Sequence, residues 1–294
     1  TSEAQFQTEF ECEFLGSIDT LINASKLKTM AIIDPKRSPD GLDVYEMPIK
    51  DHTYVTTVDV ARGINNDYSA FIVVDATKAP YKIVAKYRNN EIKPIVFPNM
   101  LKKVGDYYNK AYCLIEINDL GQQVADAMQF ELEYDNMMMV TQRGRAGQVL
   151  GGGFSGRGNQ LGLRMTKGTK KIGTSNLKSL IESDKLIIND FDIIAELSTF
   201  ISRGKSFEAE QGAHDDLVMC LVIFSWCANQ RYFKELTNVD VRGQMFTEQQ
   251  NAIEADMAPF GFIDDGLNDP DGKNNSFFDD AGVLWQPVTY RKGE

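Results

Sequence analysis

From about residue 51 onward, short apolar runs rich in β-branched and aromatic residues alternate with polar turns. YVTTVDVA, SAFIVVDA and YKIVAKYR are separated by stretches such as GINNDY and TKAP, a spacing that predicts three consecutive antiparallel strands. The period then lengthens to that of a helix over 97–109, returns to an apolar strand in AYCLIEI, and predicts a second helix from Asp119 or Leu120 to about Leu132. MMMV, at 137–140, is short enough for another strand. RGRAGQVLGGGFSGRGNQLG is rich in glycine and poor in periodic apolar positions, so it predicts a loop or hairpin outside the core. Helical patterns return over 175–183 and 190–202, with a short strand, KLII, between them. LVMCLVIFSWCANQ, which follows His214 and Asp215, is apolar nearly all round and predicts a buried helix.

These patterns divide the chain into a turn-rich lead-in over 1–50 that packs on the main domain, the main domain over 51–245, and a polar, acidic accessory region over 246–294. A length of 294 residues with 43% hydrophobic content suits one large domain with appendages or two modest ones. No apolar stretch approaches the roughly 20 residues of a membrane-spanning helix, and the start lacks the order of a signal peptide. The polar opening TSEAQFQ, with Thr where Met is expected, reads as a piece cut from a longer chain. Cys12, Cys113, Cys220 and Cys227 are scattered without CxxC spacing, which predicts reduced thiols. With His52 and His214 the only histidines, any metal is expected on carboxylates.

The formal net charge of −11 argues against a protein that coats nucleic acid, but the charge is unevenly spread. Between 141 and 178 lie Arg143, Arg145, Arg157, Arg164, Lys167, Lys170, Lys171 and Lys178, and not one Asp or Glu. Such a segment attracts phosphate. From 247 to 280 the acids Glu248, Glu254, Asp256, Asp264, Asp265, Asp269, Asp271, Asp279 and Asp280 face only Lys273, so this tail repels DNA.

Three acidic positions break the hydrophobic pattern. Asp59 interrupts VTTVDVARG in a run that belongs mid-sheet, where an ionised carboxylate costs free energy unless something pairs it. Glu116 repeats the anomaly at the end of the strand in CLIEIND. Asp215 and Asp216 open the most apolar helix, where the macrodipole favours negative charge. Each has a plain structural alternative: Asp59 pairs with an Arg, Glu116 lies on an edge, and Asp215 caps its helix. Converging carboxylates would suit Mg²⁺ or Mn²⁺, and two such ions about 3.5–4 Å apart serve phosphodiester hydrolysis without a His general base.

Other motifs carry less. GGGFSG fits GxGxxG in letters but lacks a surrounding βα unit. LNDPDGKNNSFF imitates a calcium loop, yet Leu267 and Phe278 fall where acidic ligands are required. There is no GxxxxGK[ST], so no P-loop nucleotide site is expected.

TTVDVARGINNDYSAFIVVD, CLIEINDLGQQVAD and GAHDDLVMCLVIF together resemble the three acidic motifs of the C-terminal nuclease domain of the large terminase subunit of T-even-like tailed bacteriophages. QFQTEFECEFLGS resembles that family's connector after the ATPase motor, so the resemblance runs from near residue 1 to about 240. It implies an α/β, RNase H-like fold of the resolvase/integrase type, a mixed sheet flanked by helices. It also implies a metal-dependent endonuclease that cuts concatemeric double-stranded viral DNA during packaging, with little sequence preference. Asp59, Glu116 and either Asp216 or Asp215 would be catalytic, with Asp59, Glu116 and, by preference, Asp216 as ligands of two Mg²⁺ or Mn²⁺ ions. Asp67 and His214 are supporting candidates, with a turn residue and a helix cap as their alternatives. Arg143, Arg145, Arg157, Arg164, Lys167, Lys170 and Lys171 are the expected DNA contacts. Expected partners are viral DNA, an ATPase domain in the full-length chain, the portal and the small terminase subunit, in the host cytoplasm at the prohead portal. Two other readings remain at this point: a junction resolvase or integrase-like enzyme, and a non-catalytic DNA clamp or portal-docking module.

Overall fold

The computed structural model describes residues 19–37, 41–61, 68–142, 147–151, 159–204 and 206–237, and the backbone of 277–278 and 284–285. Asp67, Arg143, Arg145, Arg157, Cys12, the connector motif, most of the glycine run and nearly all of the acidic tail lie outside the described residues. The chain divides into two compact units, Thr1–Gly243 and Gln244–Glu294.

A short helix α1 (Ala24–Leu27) and strands β1 (Lys36–Arg37) and β2 (Asp43–Val44) precede the expected meander of β3 (Tyr54–Asp59), β4 (Ser69–Asp75) and β5 (Tyr81–Asn89). Helix α2 (Phe97–Tyr107) crosses to β6 (Tyr112–Ile115), and α3 (Gly121–Asp126) continues into a π-helical turn at Ala127–Glu131. Strands β7 (Met139–Gln142), β8 (Gln148–Gly151) and β9 (Asn159–Leu161) lead to α4 (Lys167–Glu182), β10 (Leu186–Ile187) and α5 (Phe191–Thr199). The strands β11 (Phe200–Arg203) and β12 (Ser206–Ala209), then α6 (Asp216–Ala228) and α7 (Arg231–Thr237), complete the first unit's described elements. In the second unit, β13 (Phe277–Phe278) pairs antiparallel with β14 (Leu284–Trp285).

The main sheet has the order β1-β2-β5-β4-β3-β6, with β10 added parallel to β5. β3, β4 and β5 pair antiparallel, while β6 returns parallel to β3 after the α2 crossover. Residues 43–44 therefore add a strand to the same sheet as the segment beyond residue 51.

Strand periodicity sorts the apolar side chains into two cores. Val55, Ile72, Val74 and Leu114 face one side with α4, α5 and α6. Tyr54, Val58, Phe71, Val73 and Ile115 face the other with α2 and α3. The helix α6 lies within the first core: every residue from Leu217 to Ala228 is buried, each large apolar side chain contributing about 1.5–3 kcal/mol by leaving water. Gly173 lets α4 close on α6, because a Cβ there would stand 2.6 Å from Val222. No helix among the described residues is long and apolar enough to cross a membrane.

Some boundaries differ from expectation. α4 starts at Lys167, well before 175, because the Thr166 hydroxyl accepts from Thr169 N–H and caps a first turn that lacks apolar periodicity. α5 ends at Thr199, and the following four residues pair with β12 as an antiparallel hairpin. The glycine-rich segment supplies β8 and β9, on either side of β7 in a separate three-stranded sheet.

Candidate active site

Asp59 ends β3 and Glu116 directly follows β6. The two strands run parallel with Val58 opposite Ile115, and the Glu116 N–H donates to Val58 O at 2.9 Å. Neighbouring strands lie about 4.8 Å apart, so the two acids sit side by side one step beyond the last registered pair. Val55 and Leu114 face the α6 core, and the two-residue period puts Asp59 and Glu116 on that same side. Thr57, also on this side, donates its hydroxyl to Cys220 O at 2.9 Å and ties β3 to α6.

The end of β6 is tightly built. Gly121, at the start of α3, approaches so closely that a Cβ would stand 1.7 Å from Glu116 O. On the other edge, Leu163 N–H donates to Ile115 O and Ile117 N–H donates to Leu163 O. Glu116 thus projects from backbone held on several sides.

The α6 N-terminus brings in the third acidic position. Asp215 occupies the cap position, but its side chain makes no capping hydrogen bond. Asp216 is the first helical residue; one of its carboxylate oxygens accepts from the Tyr68 backbone N–H. Both acids are half-buried.

Several of these carboxylates are close enough to sense one another's charge. Burial, followed by the charges of Glu116, Asp216 and Asp215, raises the Asp59 pKa well above the ordinary range, against the opposing pull of Lys170. Burial pushes Glu116 up to about 7, with Lys170 opposing and Asp215 and Asp119 reinforcing the rise. Asp216 is pushed up to about 6 by burial and by Asp215, against His214 and Arg88. Among the described residues, four buried side-chain polar atoms lack a hydrogen-bond partner, and two of them are Glu116 Oε2 and Asp216 Oδ2. Leaving such atoms unsatisfied is costly, and acceptors aimed into a poorly solvated acidic cleft fit a hard cation. Among the described residues, no group of three or more His, Cys, Asp or Glu side chains stands close enough as placed to hold a metal ion.

Of the expected supporting residues, His214 stands with Nδ1 3.8 Å from Asp216 Oδ2, and its ring meets Tyr68 edge-on at 5.0 Å. Lys170 is half-buried, with Nζ 3.9 Å from Asp215 Oδ2 and 5.6 Å from the centre of the Phe200 ring. Arg164, Lys167 and Lys171 are exposed on and just before the first turns of α4.

Sequence reasoning missed Arg88 and Glu196. Arg88, on β5, donates from Nη1 to Glu196 Oε1 at 2.9 Å and lies 4.2 Å from the centre of the Tyr68 ring. Glu196, on α5, is 5% exposed. The signal was present, since both are charges set within apolar patterns, YKIVAKYR and FDIIAELSTF, the same anomaly that marks Asp59 and Glu116.

Comparison with known proteins agrees with this architecture. A family model described as the terminase RNaseH-like domain matches residues 56–224. A large terminase nuclease of the thermophilic phage G20c, solved with bound cobalt, superposes with a TM-score of 0.54 at 21% identity, covering 71% of this chain and 97% of that one. The same phage's nuclease with bound magnesium gives 0.52 at 23% identity, covering 71% and 97%. The structural likeness shows a shared fold, a mixed sheet flanked by helices, and the family match spans both strand-end acids and the helix-start pair. This chain belongs to the terminase RNaseH-like domain family.

Proposed function

We propose that the chain is a metal-dependent endonuclease that cuts viral double-stranded DNA during genome packaging. The observation that carries this reading is the acidic cleft itself: burial and neighbouring carboxylates raise the proton affinity of Asp59, Glu116 and Asp216, and Glu116 Oε2 and Asp216 Oδ2 have no hydrogen-bond partner among the described residues. Asp59, Glu116 and Asp216 are the metal ligands in this account, and Asp215 stands beside them. Mg²⁺ or Mn²⁺ fits the all-oxygen donor set, and the G20c nuclease structures with cobalt and magnesium support a divalent ion. A pair of such ions, when bound, supplies an activated water and charge compensation at the phosphate.

The chain's own residues supply placement. His214 steadies the Asp216 carboxylate from 3.8 Å. Lys170 reaches from α4 to the rim of the acidic cleft, where it meets Asp215, and is placed to take a phosphate oxygen. Exposed Arg164, Lys167 and Lys171 extend a cationic approach along α4, with Arg143, Arg145 and Arg157 proposed as further contacts. Contacts of this kind go to phosphates and give little sequence preference. Asp67 is proposed as a supporting acid. In the packaging motor the domain would work with an ATPase domain, the portal and the small terminase subunit, in the host cytoplasm at the prohead. Residues 246–294 would form an accessory region.

The test is cleavage of supercoiled plasmid with Mg²⁺ or Mn²⁺, with and without chelator, by the wild-type chain beside folded Asp59→Asn, Glu116→Gln, Asp215→Asn and Asp216→Asn. Metal-dependent nicking that disappears with Asp59→Asn and Glu116→Gln is expected. DNA binding without cleavage under any divalent metal would instead mark a clamp, and preferential cutting of branched DNA would mark a resolvase.

A further inference from the structure

A helix that begins with two aspartates normally uses one of them as its cap. An Asp at the cap position turns its carboxylate back onto the N–H groups of the second and third helical residues. Here those donors belong to Leu217 and Val218, and both point at a different residue. Glu196 Oε2, arriving from α5, accepts from Leu217 N–H at 2.8 Å and from Val218 N–H at 3.0 Å. Its other oxygen accepts from Arg88 Nη1 at 2.9 Å. Both carboxylate oxygens are thus committed, in a side chain only 5% exposed.

We propose that Glu196 is a positioning residue for DNA cleavage: it caps α6 in place of Asp215, leaving the Asp215 and Asp216 carboxylates turned into the cleft. The proposal rests on the nuclease reading above. The reason is one of supply. A carboxylate oxygen that accepts from two backbone N–H groups has spent its lone pairs locally and is a poorer ligand for a cation. With the capping done from α5, Asp216 Oδ2 keeps no hydrogen-bond partner, and Asp215 makes no capping bond. Arg88 completes the device. It anchors Glu196 to β5 and packs over the Tyr68 ring, while the Tyr68 N–H holds the other oxygen of Asp216. The α6 N-terminus is therefore fixed relative to the sheet that carries Asp59.

Two conservative variants separate capping from mere charge or packing. Glu196→Gln keeps an oxygen that can accept from both N–H groups but puts an amide where the acid oxygen faces Arg88. Glu196→Asp keeps the carboxyl group but is one methylene too short to reach both partners. The readouts are the Mn²⁺ concentration for half-maximal plasmid cleavage and hydrogen exchange at the Leu217 and Val218 amides, with circular dichroism and thermal melting as folding controls. Residues that orient metal ligands typically cost about 10- to 100-fold in metal affinity or activity when replaced. Glu196→Asp is expected to raise the half-maximal Mn²⁺ concentration by about tenfold and to speed exchange at both amides, with Glu196→Gln clearly less affected. A wild-type Mn²⁺ response with Glu196→Asp, or equal impairment by both variants, would overturn the capping role. Absence of metal-dependent cleavage by the wild-type chain would instead sink the nuclease reading, while unchanged amide exchange with Glu196→Asp would still count against the cap.

Discussion

Two groups of acids lie against the same α5, α6 and β5 scaffold, and they have opposite electrostatics. In the first, Asp43, Asp190 and Asp192 surround Lys86, whose Nζ is 3.3, 2.6 and 2.5 Å from them. Asp190 also accepts from the Tyr45 hydroxyl and from Ile193 N–H. Lys86 is almost wholly buried, yet its pKa is raised: burial pulls it down, and the Asp190 and Asp192 charges and hydrogen bonds more than offset that pull. In the second, burial and the charges of Glu116, Asp216 and Asp215 raise Asp59, and burial outweighs the pull of Lys170 on Glu116. Buried carboxylates alone therefore do not mark a functional site. What separates the two groups is built-in positive charge: Lys86 supplies it to the first, and under the function proposed above a divalent cation would supply it to the second.

Replacing acids in the uncompensated cleft should have the largest effect. Asp59→Asn and Glu116→Gln are expected to reduce plasmid cleavage to background while leaving the chain folded. Because each removes a poorly solvated charge from a repulsive group, both should raise the melting temperature measured in chelator, by roughly 2–4 °C for each kcal/mol regained. A variant that lost activity and also melted earlier would show that the acid holds the fold together instead.

The Lys86 cluster should behave in the reverse manner. Lys86→Met strands buried Asp43 and Asp190 without their cation and is expected to cost about 3–5 kcal/mol in urea denaturation. Cleavage by the fraction that remains folded should persist. A Lys86→Met chain as stable as wild type would erase the distinction between the two clusters.

The stability contributed by Glu116 should depend on pH. Glu116 is raised from the ordinary 4.5 to about 7, so between those values the folded chain keeps a proton that the unfolded chain has released. Its contribution to stability is fully present below about pH 4.5 and is lost as pH rises through 7. In chelator, the melting advantage of Glu116→Gln over wild type should therefore be small at pH 5 and grow towards pH 8. A constant difference across that range would mean that Glu116 is not held in a protonated state by the cleft.

The smallest effect is expected on the cationic approach. Substituting Arg164, Lys167 and Lys171 together by Gln should weaken binding to unrelated DNA sequences alike. The log–log salt dependence should flatten by about one unit for each phosphate that is no longer neutralised. Unchanged binding would remove this face from the DNA path.

Much of this arrangement was legible in the sequence, because a sheet buried on both faces writes itself as apolar runs. The meander and the nearly all-apolar α6 followed from periodicity, and Asp59 and Glu116 stood out by interrupting it. The α4 start was hidden because Thr166 and local hydrogen bonds, not apolar spacing, fix it. β11 was hidden because FISR continues a helical pattern and becomes a strand only through pairing with β12. Lys86, Arg88 and Glu196 broke the pattern as clearly as the cleft acids did. Separating a compensated charge from an uncompensated one requires knowing its neighbour across the fold, and Arg88 lies 108 positions from Glu196. The role of Asp215 was ambiguous for the same reason, since the residue that takes over its capping bonds comes from another helix.

Isothermal titration of Mn²⁺ into the metal-free chain, beside Asp59→Asn and Glu116→Gln, shows whether the acids of β3 and β6 hold a divalent ion. Binding to the wild-type chain is expected to strengthen with pH and to release protons, because the raised carboxylates must ionise to act as ligands, and both variants should show marked loss of binding. No Mn²⁺ binding by the wild-type chain, or equal binding by all three, would contradict that role for these acids.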